Sequence, residues 1–126
     1  MQLNREINPT KYQIQQCNPN SIVINNATYK QSMLVMPEYI APWQLHNIAD
    51  LTSQDLSLLA DLKPEIILLG TGSELSFPSP AITQILFPLR IGLEIMTTAA
   101  ACRTYAALSS EYRNVLAALV ICSDHS

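Results

Sequence analysis

The sequence predicts an α/β domain of three layers, with a mixed central sheet, a βαβαβ C-terminal half and an N-terminal β-hairpin or meander. Three observations lead there. Strongly apolar runs at residues 65–69, 91–96 and 115–121 have the composition of buried strands. The stretches between them carry helix starts and helical spacing, and strand–helix alternation signals parallel pairing through right-handed crossovers. The first half offers short β-branched runs divided by turn residues.

Taken in order, Ser21–Ile24 is short, apolar and β-branched, and Asn25-Asn26 supplies residues that tolerate a left-handed turn. Thr28-Tyr29-Lys30 and Met33–Met36 resume the extended pattern. Pro37 and Pro42 bracket residues 38–41, which reads as a connection because two backbone donors are lost there. Trp43 opens a further short strand with Gln44 and Leu45, and its large ring suits an inner-face anchor. Thr52 caps a helix whose third position is Asp55; Leu56, Leu59 and Leu62 recur along one face and Pro64 closes it. The strand at 65–69 runs into Gly70-Thr71-Gly72. Ser79-Pro80 then starts a short crossover helix that buries Ile82, Ile85 and Leu86 before Pro88 stops it. In the strand at 91–96, Ile91, Leu93 and Ile95 share one side, and Gly92, Glu94 and Met96 the other. The longest helix runs from Thr97 or Thr98 to Ser110, and its Ala99-Ala100-Ala101 block allows a close neighbour. Residues 115–121 make the third apolar strand.

The 126 residues suffice for one domain, 1–126, with a polar N-terminal arm at about 1–18 and a polar tail at 123–126. Apolar residues at 48% against 13% charged exclude disorder and predict exposed apolar surface for self-association or partner docking. A formal charge of −3 leaves no basic surplus for a phosphate backbone, so no nucleic acid is expected. The three cysteines, Cys17, Cys102 and Cys122, are odd in number and lack any C-x-x-C spacing, which favours a reducing compartment over a disulfide framework or zinc site. His46 and His125 are too few to build a metal centre, and neither metal nor cofactor is expected. No apolar run reaches the ~18 residues of a transmembrane segment. The polar start has neither the apolar core of a signal peptide nor the look of a mitochondrial presequence, so the expectation is a bacterial cytoplasm.

Candidate chemistry gathers at the carboxyl ends of the parallel strands, where open α/β sheets bind ligands. Gly70-Thr71-Gly72 matches half of a dinucleotide fingerprint, but Leu75 stands where the third glycine belongs, and a tight turn with positive φ explains the pair equally. Gly70, Thr71, Gly72 and Glu74 on one side, with Thr97, Thr98 and Arg103 on the other, could form an anion or partner site from amides, hydroxyls and a guanidinium. The plainer alternative has the threonines capping the helix and Arg103 pairing with Glu94, Glu74 or Glu111. Glu94 invites a question of its own, since a carboxylate in an apolar strand is costly unless paired or near an edge. Cys102 precedes Arg103, whose charge lowers a thiol pKa, yet no histidine is near in sequence and the alanine-rich surroundings fit a buried, inert thiol. No catalytic residue is assigned.

Gly70-Thr71-Gly72, Gly92–Met96, the run from Thr98 to Tyr105, Glu111-Tyr112-Arg113 and the strand through Ala117 and Ile121 together resemble a widespread family of small domains of unknown function. Its eukaryotic relatives include mitochondrial complex I (NADH dehydrogenase) assembly factor three and an adipogenesis-associated domain protein. The resemblance implies a three-layer α/β fold without established catalysis, and a protein-interaction role in complex assembly, with respiratory-complex or membrane-insertion machinery as the place to seek partners. It also implies an acidic residue at the position of Thr97, where this chain departs. The leading expectation is a non-enzymatic assembly domain; the alternative is a small-molecule or anion-binding enzyme using the strand-end crevice.

Overall fold

Asn25 and Asn26 adopt φ of 49° and 71°, the two positive values that a two-residue type I′ hairpin demands. They join β2 (Ser21–Ile24) to β3 (Ala27–Tyr29) in a three-stranded antiparallel sheet, with β1 (Ile14–Asn18) on the far side of β2. The computed structural model describes residues 11–111 and 114–121. The expected polar tail, Cys122, His125, Tyr112-Arg113 and residues 1–10 of the expected arm lie outside the described residues. Within that arm, however, residues 14–18 form a strand. A register irregularity between Ile14 and Gln16 breaks the period-two alternation, so the strand's inward residues, Ile14 and Cys17, are hidden among glutamines in the sequence.

The larger sheet has the order β5-β4-β8-β6-β7. Its strands are β4 (Met33–Met36), β5 (Tyr39–Pro42), β6 (Ile66–Gly70), β7 (Gly92–Met96) and β8 (Val115–Leu119). β6 pairs in parallel with both β7 and β8, while β4 runs antiparallel to β8 and β5. The 38–41 connection is thus corrected to an edge strand: Pro42 sits opposite Met33 at its end, a place where a missing N–H does no harm. The strand expected at Trp43 is absent, since residues 43–47 are irregular, although Trp43 is buried in the core as expected.

Helix α1 (Ser53–Ala60) begins with a full capping box: Asp55 N donates to Thr52 Oγ1 at 3.1 Å, and Thr52 N donates to Asp55 Oδ2 at 2.9 Å. The crossover after β6 is a single turn, α2 (Pro80–Thr83), capped by Ser79 and continued as a 3-10 turn over Gln84–Leu86. Helix α3 (Thr98–Ser109) crosses from β7 to β8. None of these helices is long and apolar enough to cross a membrane.

Alternation along the central strands makes two cores. Leu34, Met36, Ile67, Leu69, Leu116 and Ala118 face the α1 and α2 layer together with Trp43 and Leu56. Met33, Val35, Leu68, Ala117 and Leu119 face α3 and the small sheet, joining Ile22, Ile24 and Tyr105. The result is three layers around a mixed sheet, the predicted fold. One strand differs from expectation: β7 lies at the sheet edge and is only partly buried, because no further strand or helix flanks its outer side among the described residues.

Candidate functional site

The carboxyl ends of β6, β7 and β8 meet at Gly70-Thr71-Gly72. Thr71 N donates to Met96 O at 2.9 Å, Val120 N donates to Gly70 O at 3.0 Å, and Thr98 N donates to Gly72 O at 2.9 Å. Three strand ends and the start of α3 are thereby tied to one tripeptide. A Cβ on Gly70 would lie 2.8 Å from Thr98 Cα, so glycine is what permits α3 to press onto β6. Gly72 takes φ of 109°, a conformation that side chains disfavour. These two needs explain the glycine pair without a phosphate.

The hydroxyls here have backbone partners. Thr98 Oγ1 donates to Val120 O at 2.8 Å and accepts from Gly72 N at 2.9 Å. Thr71 Oγ1 donates to Glu74 O at 2.7 Å and accepts from Ser76 N at 3.2 Å. Thr97, the true cap of α3, accepts from Ala100 N at 3.2 Å. Two of the first three amides of α3, those of Thr98 and Ala100, are therefore occupied within the protein. A crevice of about 190 Å³ remains beside this knot, lined by Gly72, Ser73, Thr97, Thr98 and the end of β1.

Of the residues singled out in the sequence, Gly70, Thr71, Gly72, Thr97 and Thr98 come together, and the charged three do not join them. Glu74 is exposed in the loop beyond Gly72, and Glu94 is exposed at the centre of β7. Arg103 is exposed on α3 and lines a second crevice of about 240 Å³ between α3 and β1, with Cys17 and Cys102. No ion pair joins it to Glu74, Glu94 or Glu111 among the described residues. Beside it, the Cys17 thiol is held below its ordinary value, first by a hydrogen bond from Cys102 and then by the Arg103 charge, against the opposing effect of burial. Cys102 is pushed upward by that same hydrogen bond and by burial.

Two features escaped the sequence reading. Ser32 is wholly buried and accepts from Ile121 N at 2.8 Å, a link invisible in sequence because its partner is at the other end of the chain. A cavity of about 720 Å³ lies between β5 and α1 and is lined by Tyr39, Trp43, Leu45, Leu58 and Leu62 among others. The signal for it was the pair of prolines beside two aromatic residues, which marks an irregular wall.

Comparison with known proteins agrees with this geometry. A family model described as a protein of unknown function (DUF498/DUF598) matches residues 14–120. The assembly factor 3 of the NADH dehydrogenase [ubiquinone] 1 alpha subcomplex from Danio rerio is 33% identical over 104 residues, 81% of this chain and 60% of that protein. The chain thus spans about three fifths of that relative's length. Among solved structures, a Xanthomonas campestris protein shares 32% identity with a TM-score of 0.82, covering 100% of this chain and 98% of its own. A Bordetella parapertussis protein shares 31% identity with a TM-score of 0.82, covering 87% of this chain and 95% of its own. From the strand-end knot to the three layers that surround it, the chain belongs to the family of proteins of unknown function designated DUF498/DUF598.

Proposed function

We propose that this chain is a non-enzymatic protein-interaction domain that serves the assembly of a larger complex. One observation carries the reading: Phe77 is 68% exposed and Phe87 81% exposed, and they belong to the loops at opposite ends of the uncovered β7 edge. Leu75 and Leu89, both more than half exposed, accompany them. Large apolar side chains left in water at that level are typical of docking surfaces. The polar groups at the strand ends, by contrast, hold the fold: Gly70, Thr71, Gly72, Thr97 and Thr98 join strands to helix, and Glu94 keeps a charge on the open edge. The name of the Danio rerio relative supports an assembly role, with machinery that builds or inserts a respiratory membrane complex as the partner class. Free Cys17 and Cys102 support a reducing compartment, the bacterial cytoplasm.

The test is affinity capture of the tagged chain from its native host, run beside a Phe77→Ser/Phe87→Ser variant of equal thermal stability. The expected result is a recurrent set of subunits or assembly proteins that the variant fails to retain. Equal capture by both chains, or turnover of a metabolite by the purified protein, would overturn the reading.

A further inference from the structure

Cys17 and Cys102, far apart in sequence, line one crevice between β1 and α3. Both are free thiols; Cys102 is buried and Cys17 partly exposed. The interaction between the two thiols lowers Cys17 and raises Cys102. The same crevice is lined by Arg103 and Gln16, and by Gln15, whose side-chain carbonyl accepts from Asn26 N at 2.7 Å. An accessible thiol beside a cation, backed by a second thiol, is the arrangement that redox-responsive cysteine pairs use.

We propose that this crevice is a thiol-exchange site, in which Cys17 takes up a low-molecular-weight disulfide bearing carboxylates, of the oxidised-glutathione type, and Cys102 resolves the adduct into a Cys17–Cys102 bond. The positive charge of Arg103 suits the carboxylates of such a reagent. In the first step the Cys17 thiolate attacks one sulfur of the reagent; the reagent's S–S bond breaks, and one small thiolate leaves and takes up a proton. In the second, Cys102 gives its proton to solvent and attacks the Cys17 sulfur, expelling the second small thiolate, which is protonated in turn. Two protein thiols are oxidised, and one small disulfide is reduced to two thiols.

The order of attack follows from the surroundings. Cys17 is the more exposed thiol and the one whose charged form is favoured, so it reacts first. Cys102 is held protonated by its hydrogen bond to Cys17, by burial and by the charge on Cys17. Once Cys17 carries the adduct its charge is gone, so one of the causes that hold Cys102 protonated is removed. The first step thereby prepares the second.

The experiment uses the full chain with Cys122→Ser, which removes the third thiol. The protein is incubated with oxidised glutathione at neutral pH, quenched by alkylation and mapped by non-reducing peptide mass spectrometry. The expected product is a Cys17–Cys102 cross-linked peptide pair, reversed by reduced glutathione. In Cys102→Ser the reaction should stop at one glutathione on Cys17. Arg103→Ala should slow adduct formation by about threefold to tenfold through the smaller thiolate fraction. A glutathione adduct that persists on Cys17 without a bridge in the chain retaining both thiols, an adduct on Cys102 in Cys17→Ser, or no reaction at either thiol would overturn the proposal. The first and last of these are read from the chain retaining Cys17 and Cys102, so they stand even where a variant fails to fold.

Discussion

Tyr105 shows how one polar atom fastens two layers. Its ring has no exposed surface, and its hydroxyl donates to Tyr12 O at 3.0 Å, linking α3 to the segment that leads into β1. Burial raises the phenol above its ordinary value of 10.0, so the native state keeps the proton after the unfolded state has lost it. The consequence has a definite sign: this group's contribution is complete below pH 10.0 and is lost as pH rises above it. Tyr105→Phe should therefore cost about 1 kcal/mol at neutral pH through the lost hydrogen bond, and the gap to the parent should close above pH 10.0, because only the parent suffers the ionisation penalty. Urea unfolding of both proteins at neutral and alkaline pH checks it; a gap that widens on raising the pH would contradict the assignment. That Tyr105 belongs to the core was legible from its helical spacing to Leu108. Its hydroxyl's partner was not, because backbone carbonyls carry no sequence signature. Thr98 makes the same point: the sequence marks a threonine at a helix start, and only the fold shows that Thr97 caps while Thr98 ties Gly72 to Val120.

At the level of elements, turn and cap chemistry announced itself and half-exposed edges did not. Asn25-Asn26 and the Thr52–Asp55 box are local devices whose geometry is fixed by adjacent residues, which is why the sequence located them. Asn25 does more than turn the chain: its Nδ2 donates to Lys11 O at 2.8 Å and its Oδ1 accepts from Gln13 N at 2.9 Å, holding the approach to β1. Asn25→Ala should destabilise the protein by about 1–2 kcal/mol, from the left-handed φ and both lost bonds. Amide exchange in β1 should accelerate more than in β6 or β8, because the break is local to the small sheet. Equal acceleration in all strands would instead show that the two sheets open as one unit. β6 and β8 were plain in the sequence because helices and strands cover both their faces. β1 was masked by its irregular register, and β5 by Pro42, whose disruptive effect vanishes when it ends an edge strand.

For the whole molecule, the decisive feature is how the central sheet ends. Among the described residues β7 has a neighbour on one side only, and a bare edge of Gly92–Met96 would invite a second copy to add its own strand. Glu94 is the middle residue of that strand. An antiparallel pair of β7 strands related by a two-fold axis through their centres would set the two Glu94 carboxylates opposite each other, where like charges repel. Glu94 therefore sets a charge where the Glu94 of a second copy would face it, and its exposure explains how the charge is tolerated in an otherwise apolar strand. Glu94→Thr removes the charge and supplies a residue suited to strands. In light scattering across a concentration series, this variant should self-associate at lower protein concentration than the parent, and Glu94→Asp should match the parent. Should the Thr variant keep the parent's mass at every concentration, the β7 edge is not held open by this carboxylate, and the exposed phenylalanines at its two ends would have to act without the strand between them.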